Sequence, residues 1–435
     1  MAERLDRDVA AAIGLPAPAI SRARFERLAA HHGTPCFVYD GAAMRAAACQ
    51  LLAALPAGAP LFYAIKANPN PAVVRLFGAM GLGAEVASRG ELALALAAGI
   101  APGRIVFSGP AKTDADITAA VAAGILAVQI ESPDEVERLR VIAASQNRRV
   151  GVTLRLDIPA TQAARRGGWV GDSAFGMDEA AAITILSDQA PASPLDIIGF
   201  HNHQASGSLV ADDHVARFGA FLEAVLRLSR HRKPLLVNFG GGFGAPFYAD
   251  DAPLDLGPIA AFLRGPVRAA LAEAGLSPQL GFEAGRYLVR CAGTYLCRVV
   301  AVKTTHGRRF AALDGGSHHV ASLSGTLRFL RRQVAVAGPP RAGASLPIEL
   351  CGPLCTPTDR LASAVPLPAD LAPGDLLVFG NCGAYARQAS ALNFLGHDWP
   401  PEILVDGARE TLVARRVRFE EVLALQAVPD DRAAS

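Results

Sequence analysis

Apolar runs of five to seven residues recur along the first two thirds of the chain, at 61–66, 83–87, 104–108, 127–131, 151–156, 197–203, 235–239 and 279–283. Most are followed by a longer stretch in which apolar positions return every three to four residues, at 71–80, 90–98, 114–123, 133–144, 179–189, 214–229 and 258–274. The first spacing predicts buried strands and the second amphipathic helices. Ser88, Thr113 and Ser132 stand where a helix needs an N-cap, and Gly81, Gly99 and Gly124 where a helix must stop. Eight parallel strands separated by helices over roughly 225 residues is the size of a TIM-like (β/α)8 barrel. A doubly wound open sheet is the competing arrangement.

The pattern changes beyond about residue 290. Segments 294–302, 309–313, 333–336, 347–350, 375–379, 402–405 and 410–417 are short, often alternate apolar with polar positions, and are divided by Gly, Pro and Asn. That spacing predicts an antiparallel β domain without interleaved helices. The expected organisation is a segment 1–34 packing with the β domain, a barrel over 35–285, a β-sandwich or β-barrel domain over 286–427, and a disordered polar tail at 428–435.

Composition narrows the class of function. The chain has 435 residues, 51% hydrophobic and 19% charged, with a net charge of +2, so it carries no electrostatic footprint for nucleic acid or an anionic membrane. The longest apolar run, 117–130, falls short of the ~18 residues of a membrane span, and Gly124 splits it into a helix end and a buried strand. Residues 1–6 are polar and charged in the main, so no secretory signal is expected. Seven scattered cysteines, an odd number, argue against a disulfide framework and for a reducing cytoplasm. Cys351 and Cys355 are too far apart for a CxxC pair and have no second pair, so no metal is expected.

Candidate chemistry gathers at the C-terminal ends of the strands, where barrel active sites form. Lys66 ends the first strand and is followed by Pro69 and Pro71, which rule out continuing it. A partly desolvated amine there can form a Schiff base, although a lone lysine at a strand end is more often a snorkelling surface cation. The sixth strand ends in His201-Asn202-His203, the seventh leads into Gly240-Gly241-Gly242, and the eighth ends in Glu283-Ala284-Gly285-Arg286. A triple glycine alone is compatible with a tight turn, and His-x-His with a structural pair. Four such endings on one rim point to a site, with the glycine backbone available to an anion such as phosphate.

The ordered motifs Tyr63-Ala64-Ile65-Lys66-Ala67-Asn68, Glu85-Val86-Ala87-Ser88, Gly199-Phe200-His201-Asn202-His203, Gly240-Gly241-Gly242, Glu283-Ala284-Gly285-Arg286, Gly352-Pro353-Leu354-Cys355 and Gly383-Ala384-Tyr385 resemble those of the fold type III pyridoxal-phosphate decarboxylases. This is the group of diaminopimelate and ornithine decarboxylases, and the resemblance runs from about residue 34 to 420. It implies a barrel of the alanine racemase type and pyridoxal 5'-phosphate as cofactor. Lys66 would hold the cofactor as a Schiff base, and Glu283 would pair with its pyridine nitrogen so that the ring takes up the electrons released with CO2. His203 would stack on the ring face, while Ser206, Gly240, Gly241, Gly242, Arg286 and Tyr385 would hold the phosphate. Cys355 would reach the partner subunit's site and return a proton to the carbon that has lost CO2, which implies a homodimer with sites completed in trans. Tyr385 can serve either subunit on this reading.

Departures from the family pattern bear on the substrate. Thr356 stands where enzymes for basic amino acids carry an acidic residue, and 320–324 lacks the arginine that diaminopimelate enzymes use for the distal carboxylate. Losing such a charge-assisted contact, about 1.5–3 kcal/mol, disfavours free diaminopimelate, ornithine or lysine. Gly352-Pro353-Leu354-Cys355-Thr356-Pro357, with Asp314-Gly315-Gly316-Ser317-His318-His319 upstream, is more similar to the branch acting on conjugated or carrier-linked amino acids in secondary-metabolite, siderophore or exopolysaccharide pathways. Thr356, His318 and His319 are then candidate substrate contacts, although surface positions are the plainer reading of the two histidines. The alternatives are meso-diaminopimelate decarboxylation, a racemase of the same fold, which Glu283 argues against, and a non-catalytic cofactor-binding protein, which would lack the β domain. A zinc hydrolase using His201 and His203 is a more distant one.

Overall fold

The computed structural model describes residues 20–158, 174–188, 193–324 and 332–426. The chain divides into two compact units, one of Met44–Pro246 and Ala252–Val289, the other of Met1–Ala43, Phe247–Asp251 and Arg290–Ser435.

In the first unit, Leu61–Ala64, Gly83–Val86, Ile105–Phe107, Ala127–Ile130, Val150–Arg155, Leu195–His201, Leu236–Asn238 and Gln279–Ala284 pair in parallel and close into a barrel, the last strand bonding to the first. Closure excludes the open doubly wound sheet. Leu61–Ala64, Gly83–Val86 and Ala127–Ile130 are buried along their whole length, because helices cover the outer face while side chains fill the inner one. This is why they read as continuous apolar runs. The capping residues act as the sequence requires: Ser88, Thr113 and Ser132 each accept a backbone N–H at the start of a helix. Gly124 ends Asp114–Ala123 in the left-handed region, at φ 65°, and the run that continues past it becomes the strand Ala127–Ile130. The helix expected at 258–274 widens at Leu263–Val267, where Pro266 has no N–H to give and a single π turn absorbs the defect.

One element near the site differs from expectation. The first strand stops at Ala64, and Lys66 lies in a 3-10 turn, Ile65–Ala67, closed by Asn68 N–H donating to the Ile65 carbonyl. Asn70 then caps Pro71–Ala79, so both prolines follow the turn, Pro71 as the first residue of the helix.

The second unit is a nine-stranded sheet whose main path runs Arg360–Pro368, Ser345–Cys351, Arg308–Leu313, Gly293–Thr305, Cys36–Asp40, Glu402–Asp406, Arg409–Ala414, with Leu376–Phe379 and Val336–Ala337 paired off it. It is mostly antiparallel, but Cys36–Asp40 runs parallel to Glu402–Asp406, and Arg308–Leu313 to Ser345–Cys351. Cys36–Asp40, which the sequence leaves at the head of the barrel domain, is a central strand here. The helix Arg22–His32 contributes Phe25, Leu28 and Ala29 to a core with Val38, Leu296, Val378 and Ile403. Burial of each such large apolar side chain stabilises the unit by roughly 1.5–3 kcal/mol. Arg360–Pro368 went unread because Pro366 and Pro368 look like breakers; it is the end strand of the path, where prolines need not complete a ladder on both sides. The expected tail at 428–435 lies outside the described residues. Among the described residues no helix is long and apolar enough to cross a membrane.

Candidate active site

Glu283 is the most heavily furnished residue of the barrel rim. It lies at the end of the last strand, 3% exposed, and its Oε1 accepts from both Gln129 Nε2 and Asn238 Nδ2 at 2.9 Å. His201 Nε2 lies 3.3 Å from the same oxygen, and His203 Nδ1 3.6 Å from Oε2. Burial by itself raises the carboxyl's pKa, but the His201 and His203 imidazoles outweigh it and hold the group well below the usual carboxylate range. The two amide donors act in the same direction, since they favour the charged form. Glu283 is therefore a buried, fixed anion.

His203 is half-buried and oriented from two sides. Gly241 N–H points at its Nδ1 at 3.2 Å, and its carbonyl accepts from Arg155 Nη2 at 3.1 Å. Burial lowers its pKa against the pull of Glu283.

Lys66 pairs with Glu85, a fully buried carboxylate on the neighbouring strand that also accepts from the Ser108 hydroxyl. The turn that carries Lys66 packs against the Glu283–Arg286 segment: a Cβ on Gly285 would lie 2.8 Å from Ala67 Cβ. The lysine turn and the Glu283 segment are thus seated on one rim by the pairing of their strands, Tyr63 opposite Ala284, and by the close approach that Gly285 allows to Ala67.

The glycine loop is crowded from every side. A Cβ on Gly240, Gly241 or Gly242 would lie 2.1, 2.4 or 2.5 Å from the carbonyl oxygens of Asn202, Glu283 and Ala205. Gly240 and Gly242 also have positive φ, 63° and 93°. The Gly242 carbonyl accepts from Gly207 N–H at 3.0 Å and Ser208 N–H at 3.2 Å, and Arg286 Nη2 reaches Ser206 Oγ at 3.3 Å. The loops after the sixth, seventh and eighth strands therefore form one backbone-lined cradle with a guanidinium and a hydroxyl at its edge, which fits a phosphate. With Lys66 and the Glu283 anion on the same rim, the residues present fit pyridoxal phosphate.

The remaining candidates belong to the other unit. Cys355 is exposed. Its loop is pinned by Asp359, 2% exposed, which accepts from Ser317 N–H at 2.7 Å and Leu354 N–H at 2.9 Å. Asp359 thereby ties the loop 314–319 to the loop 352–355. Thr356 and His318 both line a cavity of about 270 Å³, with Ser317, Ser324, Leu354 and Thr358 among its other walls. His318 and His319 are not surface residues: both are 2% exposed. His318 has no hydrogen-bond partner at either ring nitrogen among the described residues, and burial followed by neighbouring His397 brings its pKa down to about 4. His319 is held between Tyr295 Oη at 2.8 Å and the Asp398 carbonyl at 3.0 Å and is not part of the cavity lining. Tyr385 is half-buried in a loop where it and Asn381 both take positive φ, 52° and 55°, a conformation non-glycine residues adopt at a cost.

Glu85, Gln129, Asn238 and Asp359 were not singled out as site residues, and His201 was read only as part of a strand ending and as a zinc ligand in a distant alternative. The signal was a polar side chain inside an otherwise apolar strand, as in Gly83–Val86, Ala127–Ile130 and Leu236–Asn238. Among the described residues no cluster of His, Cys, Asp and Glu is placed to hold a metal ion.

Residues 42–290 match the family model described as the pyridoxal binding domain of pyridoxal-dependent decarboxylases. Over 419 residues the chain is 32% identical to the L-glutamyl-[BtrI acyl-carrier protein] decarboxylase of Niallia circulans, covering 94% of this chain and 97% of that one. Over 409 residues it is 36% identical to the diaminopimelate decarboxylase of Actinosynnema pretiosum subsp. auranticum, covering 91% and 89%. Among solved structures, diaminopimelate decarboxylase from M. jannaschii in complex with L-lysine matches with a TM-score of 0.85 over 93% and 94% of the chains, at 23% identity, a likeness of fold.

Proposed function

The chain belongs to the pyridoxal-phosphate-dependent decarboxylases of fold type III, and from that premise we propose that it removes the α-carboxylate of an amino acid with a free α-amine, using Lys66, Glu283, His203 and Cys355. When bound, pyridoxal phosphate supplies an electron sink for the pair left behind by CO2. The observation that carries the reading is the Glu283 anion, fixed by Gln129 and Asn238 at 2.9 Å, because a carboxylate held charged would favour the protonated form of a pyridine nitrogen bound at this site. A racemase is better served by a partner that suppresses the sink. Lys66 supplies the attaching amine, with Glu85 as the carboxylate that takes up and returns its proton. His203 would offer its imidazole face to the cofactor ring. Ser206, Gly240, Gly241, Gly242 and Arg286 would hold the phosphate, with Tyr385 serving it in one subunit or the other. Cys355, exposed on its own unit, returns a proton to the substrate carbon in the partner subunit's site, which makes the working form a homodimer. All seven cysteines are free thiols, in keeping with a reducing cytoplasm.

For the substrate, the diaminopimelate decarboxylase compared above is 36% identical to this chain against 32% for the enzyme acting on a carrier protein, so meso-diaminopimelate or a related basic amino acid has more support than the conjugated or carrier-linked amino acid expected from the sequence. The conjugate remains as a second reading on one specific observation. The cavity beside Thr356 is lined by neutral groups, His318 included, and one relative acts on a glutamyl group carried by a protein. Release of CO2 from meso-diaminopimelate, lysine, ornithine and a glutamyl thioester at equal concentration separates the two. A higher kcat/KM for meso-diaminopimelate is expected. The reverse order moves the substrate to the conjugate, and no CO2 from any of them by cofactor-loaded protein removes the decarboxylase reading.

A further inference from the structure

Behind the glycine loop lies a guanidinium that the reaction as described does not use. Arg217, on the helix Ala211–Leu228, is 5% exposed. Its Nε donates to the Asp213 carbonyl at 3.1 Å, Nη1 to the Ala205 carbonyl at 3.4 Å and Nη2 to His214 Nδ1 at 3.0 Å. Every one of these acceptors is uncharged. His214 is fully buried, stacked on Phe243 at 5.2 Å, and its Nε2 faces the Ser208 carbonyl at 3.2 Å. The Asp213 carboxylate accepts from the Ser208 hydroxyl at 2.8 Å and makes no direct ion pair with Arg217, on which it acts only at longer range. Burial outweighs that pull and brings the Arg217 pKa down to about 10, still protonated at neutral pH.

A buried cation with no carboxylate in direct contact is unfavourable unless an anion completes it. The place from which an anion can do so is the cradle. A Cβ on Gly242 would lie 2.9 Å from Arg217 Nη1 and 3.2 Å from Nη2, so the guanidinium occupies the space that a side chain at Gly242 would need, and its second anchor, Ala205, belongs to the other wall of the cradle. We propose that Arg217 is the fixed counter-charge of the cofactor's phosphate, a positioning residue that acts through the Gly242 and Ala205 backbone from the side opposite the phosphate, with His214 holding the guanidinium in place. This rests on the reading that the cradle takes the phosphate of pyridoxal phosphate. In a low-dielectric setting such a charge is felt through one layer of backbone without contact, and being buried it is little screened by salt.

The test compares dissociation constants of pyridoxal phosphate and pyridoxal, which differ in the phosphate alone, by equilibrium dialysis on the full chain. Arg217→Met and Arg217→Gln are expected to weaken pyridoxal phosphate at least tenfold while leaving pyridoxal within about twofold, and Arg217→Lys to recover most of the difference. Equal weakening of both compounds would mean that Arg217 merely supports the loop, and no weakening of either would leave it without a role; each result overturns the proposal. Should the neutral variants fail to fold, the wild-type protein decides: its preference for pyridoxal phosphate over pyridoxal must persist in 1 M salt, roughly a 3 Å screening length, and a collapse of that preference would assign the phosphate to exposed charges. Wild-type protein that binds neither compound refutes the cofactor reading itself, a different outcome from these.

Discussion

Asn238 donates its side-chain amide to Glu283 Oε1 at 2.9 Å across neighbouring barrel strands. Because Gln129 donates to the same oxygen at 2.9 Å, that oxygen must remain an acceptor. Glu283→Gln can meet this with its carbonyl, so the variant should fold and load cofactor normally. What it loses is the negative charge, and kcat should fall by ~10² or more, as when a transition-state charge partner is removed. Rates are compared at saturating substrate, beside the cofactor absorbance of each protein. An unchanged kcat would contradict the role given to Glu283.

Lys66 is expected to be the attachment point of the cofactor. Borohydride treatment of the yellow protein should fix the cofactor irreversibly, and peptide mapping should find it on Lys66. A label on another lysine, Lys112 included, would reassign the site.

Lys66→Ala and Cys355→Ala homodimers should each be severely impaired. Mixed under conditions of demonstrated subunit exchange, they should recover activity up to one intact site per heterodimer. Recovery tests the trans assignment directly; its absence would return Cys355 to its own subunit's site or exclude it from the reaction.

Gly241→Ala places a methyl 2.4 Å from the Glu283 carbonyl, where only backbone can yield. The expected cost is about 1–3 kcal/mol from overpacking, together with loss of cofactor, since Gly241 also orients His203. Gly265→Ala is the control: nothing lies within 4 Å of its added Cβ, and it should be neutral or stabilising. Urea midpoints and bound cofactor report both.

Acid should weaken the fold through His214. Burial, then the Arg217 charge, lowers its folded pKa from 6.5 to about 4. As pH falls below 6.5 the unfolded chain takes up this proton first, so stability is complete above that pH and is lost progressively down to pH 4. The loss is roughly 3 kcal/mol at most. His214→Gln keeps an acceptor for Arg217 but cannot titrate, and its urea midpoint should fall less steeply between pH 6.5 and 4. Parallel curves for the two proteins would show that the histidine does not contribute.

Sequence patterns carry information where one residue's neighbours along the chain decide its fate. The eight barrel strands were legible because each is an apolar run closed by a cap or glycine, and Lys66, His203 and Glu283 because they end such runs. Lys66 was misplaced by one turn, since nothing local distinguishes a strand end from a 3-10 turn before proline. Cys36–Asp40 was hidden because its partners are Gly293–Thr305 and Glu402–Asp406, far away in the chain. Arg217, Asp359 and the burial of His318 were illegible for the same reason: each is defined by contacts between loops, and an isolated Arg, Asp or His looks like surface.

The position of Cys36–Asp40 at the centre of its sheet also sets a timetable for biosynthesis. This apolar strand leaves the ribosome early, yet its nearest partner, Gly293–Thr305, follows after about 250 further residues. At roughly 5–20 residues per second it waits on the order of 10–50 s with both edges open, while the barrel is being made. Its parallel partner, Glu402–Asp406, comes later still. A chain interrupted before that point leaves the central strand with a bare edge, and such chains should be the ones that aggregate or are cleared by proteases.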